Sequence, residues 1–321
     1  MRVHRAIDEL GYRPSEIARS LSFQRTRTIG IAVYDILNMG MAEYVYAAQV
    51  ELAKRDYQVI LTCMAGQIEA GQACLRLLED RRVDGIITDF FPRTGDLDAA
   101  GRSRPPLAGI FCYHPATGRV SSVRFDGRGG GRQVAGHLLE LGHRRIGVVT
   151  GPSWWGSIKE RLAAFHETLG AHDVPFDPSL VEATDEWTVP AGHAAALRLL
   201  ERAPDVTAIW ALYDVLAIGV VRALHDLRRR IPDDVAVIGF NDEVFSTYIV
   251  PRLTSVRANC GRLGEVAAGL VLDLIDDETA RPQDVVVPTQ LVVRESTVGR
   301  SDATVFAPDE FVTIADGPGD S

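Results

Sequence analysis

Residues 141–165 read LGHRRIGVVTGPSWWGSIKERLAAF, and their pattern sets the fold class. Val134, Leu138 and Leu141 fall on one helical face, and Gly142 follows as the residue that closes that helix in a left-handed turn. Ile146–Thr150 is a short β-branched run, with charges before it and Gly151-Pro152 after it, as fits a strand buried on both faces of a parallel sheet. A second helical pattern then begins, and Arg161 opens its apolar run Leu162–Phe165. Helix, buried strand, turn and helix together make the repeating unit of a parallel α/β sheet.

The unit recurs in both directions. Comparable runs stand at Ile29–Val33, Val59–Leu61, Gly85–Thr88, Leu107–Phe111, Ala208–Ala211 and Ala236–Phe240, with amphipathic stretches between them. Val266, Leu270 and Leu274 mark another helix, with Ala267, Val271 and Ile275 widening its apolar face. One continuous sheet would need too many strands. The pattern therefore predicts an α/β fold of two Rossmann-like lobes with a ligand cleft between them. The first lobe is expected over 28–126, completed by about 257–285, and the second over 127–256, completed by about 286–298. Residues 1–27 stand apart as two short helical patterns, and 299–321 read as a mobile acidic tail.

Composition narrows the function. The chain has 321 residues, 46% hydrophobic and 24% charged, which excludes disorder over most of its length. No apolar stretch reaches the roughly 18–20 residues of a membrane span, and the start MRVHRAIDEL lacks a basic-then-apolar secretory pattern. The four cysteines (63, 74, 112 and 260) are spread out with no C-x-x-C pair, so neither a disulfide framework nor a zinc knuckle is indicated. A cytoplasmic protein with no membrane partner is expected. The net charge of −9 argues against a nucleic-acid binder when taken globally. Its distribution says otherwise, because residues 1–30 hold six arginines against three acids, a local +3 on a body of −12. A basic arm that meets phosphates and a solvated surface segment both fit that asymmetry.

Catalytic signatures fail one by one. Gly127–Arg132 (GRGGGR) precedes a helix, as a phosphate-binding turn would, but position 132 is arginine where G-x-G-x-x-G needs its last glycine. The eight histidines form no H-E-x-x-H, and no G-x-S-x-G elbow is present. An enzyme using Asp89, Asp214 and Arg161 for acid–base work is the weakest of the readings. No cofactor and no metal ligand are expected.

The stretch IDELGYRPSEIARSLSFQRTRTIGIAVYDI resembles the LacI-type family of bacterial transcription regulators, and the resemblance continues through D126GRGGGR, LGHRRIGVVTG, Arg161, P232DDVAVIGFND, PRLTSV and VVRESTVGR. It covers nearly all of residues 1–299, and implies a periplasmic-binding-protein-like core preceded by a headpiece and a hinge helix. It also implies a homodimeric repressor that senses a sugar or related polyol and binds operator DNA. The match begins inside what resembles the third headpiece helix. The helix-turn-helix is then expected upstream of Met1; the alternative is a stand-alone sugar-binding protein or decoy subunit without specific DNA reading.

The resemblance assigns roles by position. In the hinge, Leu21 with Ala18 and Arg19 would enter the DNA minor groove; the rival reading packs Ile17 and Leu21 on the core. In the cleft, Arg161 would donate to ligand oxygens; otherwise it pairs with Glu160 or Asp185 on a helix surface. Asp214 follows strand Ala208–Ala211 and is expected to cap a helix and meet the effector, with Tyr213 where the family usually has asparagine. Asn241 stands where the family commonly has aspartate, which keeps an acceptor and adds a donor. Trp187 is either a stacking plate or core, and Trp154 and Trp155 sit on a loop that could also line the cleft. Asn38–Met41 lacks the aromatics of the family's first-lobe patch, and Asp89, Phe90 and Phe91 are expected to replace that surface.

Overall fold

The computed structural model describes residues 25–90, 105–111, 120–153, 155–277 and 279–299. Numbered along the chain, its strands are β1 (Thr28–Val33), β2 (Gln58–Cys63), β3 (Gly85–Thr88), β4 (Leu107–Ile110), β5 (Val120–Phe125), β6 (Ile146–Thr150), β7 (Val181–Ala183), β8 (Ala208–Ala211), β9 (Ala236–Asn241), β10 (Thr254–Arg257), β11 (Asp284–Val287) and β12 (Gln290–Val292). The helices are α1 (Met39–Ala53), α2 (Gly71–Asp80), α3 (Gly127–Glu140), α4 (Gly156–Gly170), α5 (Val189–Arg202), α6 (Asp214–Asp226), α7 (Cys260–Asp276) and α8 (Glu295–Val298).

The strands form two six-stranded sheets, in the orders β11-β5-β4-β3-β1-β2 and β12-β10-β9-β8-β6-β7. Every neighbouring pair of the first sheet is parallel, as are β6 with β7 and β8, and β8 with β9, in the second. The central strands β3, β6 and β8 are buried at every residue, which is why they read as unbroken apolar runs.

The chain packs as two units, one made of the described residues of Met1–Gly136, Ser153–Phe176 and Arg257–Gln290, the other of those of His137–Pro152, Asp177–Val256 and Leu291–Ser321. Helix α4 groups with the first unit, although the sequence places it in the second lobe. Sterics at Gly131 contribute: a Cβ there would overlap the main-chain oxygen of Arg161, so α3 and α4 touch backbone to backbone. The first sheet also keeps its last strand through Val287, where Ser122 Oγ donates to Asp284 at 2.7 Å. The sequence had assigned Val286 onward to the second lobe.

In the first unit, Leu75 and Leu78 of α2 cover Ala32, Ile86 and Leu107. In the second, α5 and α6 pack Leu199, Leu216 and Val220 against Val149 and Ile209. Fully burying such a side chain is worth about 1.5–3 kcal/mol. The chain joins the first sheet through a tight staple. Asp84 accepts from the amides of Thr26 (2.7 Å) and Arg27 (2.9 Å) and from the Thr26 hydroxyl (2.9 Å). Arg25 donates to the Ile275 carbonyl at 2.7 Å and to Asp276 at 3.0 Å, at the negative end of α7.

Candidate functional site

In an open parallel sheet, ligands gather where neighbouring strands send their connections to opposite sides, outside the carboxyl ends. The strand orders put that point between β1 and β3 in the first unit and between β6 and β8 in the second.

At the first point Tyr34 follows β1 and Asp89 follows β3. The Asp89 Oδ2 accepts from the Tyr34 amide and from the Tyr44 hydroxyl, each at 3.0 Å. Its Oδ1 is buried and has no hydrogen-bond partner among the described residues. Burial pushes this carboxyl up to about 7, against the Tyr34 amide, the Tyr44 hydroxyl and its own amide, which favour the charged form, and pushes the Tyr44 hydroxyl up as well. A carboxyl poised near neutrality can accept from a ligand hydroxyl or donate to one.

Aromatic rings flank Asp89 within the same unit. Trp155 meets Tyr34 edge-on at 5.5 Å and Phe111 at 6.4 Å, and Phe111 meets Tyr44 at 6.0 Å. This wall differs from the expected one. Phe90 turns inward onto Gly71 and the α2 core, and Asn38 caps α1 by accepting from Met41 N at 3.4 Å. Tyr34, Phe111 and Trp155 supply the surface instead. Trp155 was already read as possible cleft lining; Tyr34 directly follows the run Ile29–Val33 and Phe111 ends the run Leu107–Phe111, so a place at the carboxyl end of a predicted strand is the signal that could have found these two. Phe91 and Trp154 lie outside the described residues.

Arg161 is only 6% exposed, so it is not the helix-surface arginine of the rival reading. Ser157, one turn earlier on the same face of α4, is also buried, and its Oγ has no partner among the described residues.

At the second point the half-buried Trp187 lies over Gly151, where a Cβ would overlap the indole, and meets Tyr213 edge-on at 5.7 Å. Tyr213 is 4% exposed and donates to Glu243 at 3.4 Å. The tyrosine in place of the family's amide is thus part of an aromatic corner.

Asp214 overturns its expectation. It is the first residue of α6 rather than the cap, and it is fully buried. Its Oδ1 accepts from Ser255 Oγ at 2.6 Å, and its Oδ2 from the Glu243 amide at 2.7 Å and Ser246 Oγ at 3.0 Å. Burial raises this carboxyl to about 7 too, and the nearby Asp242 adds to the rise. Both oxygens are committed to donors of its own unit, so Asp214 is a scaffold that ties α6 to the segment after β9.

Asn241 is the last residue of β9, at the start of that segment. Asn241 and Asp242 both have left-handed backbones, at φ +105° and +59°, so the chain turns sharply as it leaves β9. Asp242 is paired with Arg294 at 2.6 Å, with both side chains 4% exposed. Arg294, Asp242 and Ser255 all lie in stretches that carry the resemblance, VVRESTVGR, VAVIGFND and PRLTSV, but sequence reading gave none of them a role, because a motif does not show which of its side chains meet. Ala18, Arg19 and Leu21 lie outside the described residues.

The glycine-rich turn is structural. Asp126 already accepts from Gly129 N at 2.6 Å, which occupies an amide that a phosphate would use. Among the described residues no group of three His, Cys, Asp or Glu could hold a metal, and no helix is long and apolar enough to cross a membrane.

Residues 135–297 match the periplasmic binding protein-like domain family. The chain belongs to the LacI-type family of transcriptional regulators, which are not enzymes. Among its relatives is the HTH-type transcriptional regulator CelR of Thermobifida fusca, 36% identical over 303 residues, 92% of this chain and 88% of that one. A solved CelR–cellobiose complex superposes with a TM-score of 0.77 at 33% identity, covering 92% and 89% of the two chains. The Lac repressor bound to ONPG in its repressed state gives 0.81 at 25% identity, again with 92% and 89% covered.

Proposed function

We propose that this protein is a homodimeric repressor that releases or engages operator DNA in response to a sugar-like effector. The groups proposed to meet the effector each lie at or past the carboxyl edge of a sheet within their own unit. Asp89 offers its unspent oxygen to a hydroxyl, Arg161 donates to ring or hydroxyl oxygens, Asn241 supplies an acceptor and a donor, and Trp187 and Trp155 present flat faces. The observation that carries this reading is Asp89 Oδ1, a buried polar atom with no hydrogen-bond partner among the described residues, beside an aromatic wall. Pyranose rings offer the same two chemistries, hydroxyl edges and apolar faces. The CelR relative was solved with cellobiose, which makes a glucosyl disaccharide the first effector to test.

Leu21, with Ala18 and Arg19, is proposed to wedge into the minor groove, which would kink the operator. Regulation then requires that the sugar bind the DNA-competent and DNA-free states with different affinities. Calorimetric titration with cellobiose, ribose and glucose, paired with operator retention by the natural gene product with and without each sugar, tests the reading. Saturable binding of one sugar that changes operator retention is expected. A protein that binds operator identically at every sugar concentration is not the regulator proposed.

A further inference from the structure

We infer that Arg294 is a positioning residue for effector recognition: its guanidinium, buried against Asp242, holds the left-handed turn that presents Asn241. This rests on the reading that Asn241 meets the effector. Two consecutive non-glycine residues at positive φ are unfavourable on their own and persist only where the surroundings fix them. Three interactions do so. Arg294 Nη1 donates to Asp242 Oδ1 at 2.6 Å, the Asp242 amide donates to Ser255 Oγ at 3.1 Å, and the Glu243 amide donates to Asp214.

Arg294 is itself held rigidly. Its Nη1 also donates to the Leu253 carbonyl at 2.7 Å, its amide donates to Thr254 Oγ1 at 2.8 Å, and its carbonyl accepts from that hydroxyl at 3.0 Å. The next turn is anchored as well, since Ser296 Oγ accepts from the Thr254 amide and donates to the Val237 carbonyl within the second sheet. The guanidinium thus approaches Asp242 from a backbone pinned to β9 and β10. Both bonds leave the one nitrogen Nη1, and a lysine ammonium ends about one bond short of that point with its donors arranged tetrahedrally rather than in a plane, so charge alone does not restore the geometry.

The test compares the unaltered chain with Arg294→Lys, Asp242→Asn and a control, Arg252→Lys, whose arginine pairs with Glu295 at 3.2 Å and does not touch the turn. Backbone NMR shifts of Asn241 and Asp242 report the turn, and calorimetry with cellobiose reports binding. Arg294→Lys should move both residues out of the left-handed region and weaken cellobiose binding at least tenfold, while thermal unfolding stays cooperative. Arg252→Lys should change neither readout. In an Asn241→Ala background, Arg294→Lys should cost no further affinity; an added loss would show that Arg294 acts by another route and overturn the inference. A turn that keeps its left-handed shifts in Arg294→Lys overturns it equally. Should Arg294→Lys fail to fold, Asp242→Asn decides by the same readouts, because asparagine tolerates positive φ but lacks the charge that holds the guanidinium. Should the unaltered chain bind no cellobiose, the effector assignment for that sugar fails, and the NMR comparison alone decides whether Arg294 holds the turn.

Discussion

Asp89 and Asp214 occupy similar places in their own units. Each lies just past a central strand, Asp214 fully buried and Asp89 partly so, and desolvation pushes each carboxyl to about 7. They differ in what their oxygens touch. Asp214 accepts from three internal donors, whereas one oxygen of Asp89 has no partner among the described residues. A shifted carboxyl in a strand-end loop is therefore not by itself a binding group. Unspent hydrogen-bonding capacity separates the carboxylate proposed for recognition, Asp89, from the one that serves as scaffold, Asp214.

The sharpest way to break this comparison is to remove the scaffold. Asp214→Ala strands three buried donors and should lower stability by roughly 4 kcal/mol in urea unfolding. Asp214→Asn should also cost about 2 kcal/mol, since its amide turns a donor toward other donors. A loss within 1 kcal/mol for the alanine variant would remove the distinction.

The next largest effect concerns pH. The folded Asp89 holds its proton up to about 7, whereas an unfolded aspartate releases it near 3.8. Its contribution to stability is therefore fully present below about 3.8 and declines as pH rises toward 7. Asp89→Asn should remove this decline, so the stability difference between parent and variant should shrink by up to roughly 3 kcal/mol between pH 4.5 and 7. Parallel pH profiles for the two proteins would mean that the carboxyl is ordinary.

Arg161→Ala should weaken binding of a recognised sugar by about 2 kcal/mol, near thirtyfold, and leave the thermal midpoint little changed. Unchanged affinity would take Arg161 out of the site. The smallest effect sharpens the comparison from the other side. Asp89→Asn should alter sugar affinity by less than about threefold at pH 7, because a carboxamide still offers one acceptor and adds a donor. Calorimetry on the same samples used for the pH series checks this.

Much of the frame was legible in the sequence. Gly85–Thr88, Ile146–Thr150 and Ala208–Ala211 were read with their observed limits, because strands covered on both faces need an unbroken apolar run. Gly142 does close its helix, at φ +86°. The edge strands β7, β11 and β12 were not read as strands. They are short and only partly covered, which weakens the hydrophobic signal, and the buried β5 and β10 were not read either, because Ser121, Ser122, Thr254 and Ser255 interrupt their apolar runs. Leu141, counted into a helix face, is 41% exposed just past the helix end, and Leu139 is buried instead. Asp214 was misjudged for a related reason: spacing shows that an aspartate follows a strand but not which hydroxyls converge on it. Ser246 and Ser255 lie 32 and 41 residues away along the chain.

The Asp84 staple has a mechanical consequence. Both amides of Thr26 and Arg27 end on one carboxylate, and Arg25 is bolted to the last turn of α7. The polypeptide therefore leaves the first sheet with no slack in direction. Any tilt of that sheet's rim is passed directly to residues 25–27, as a handle follows its blade.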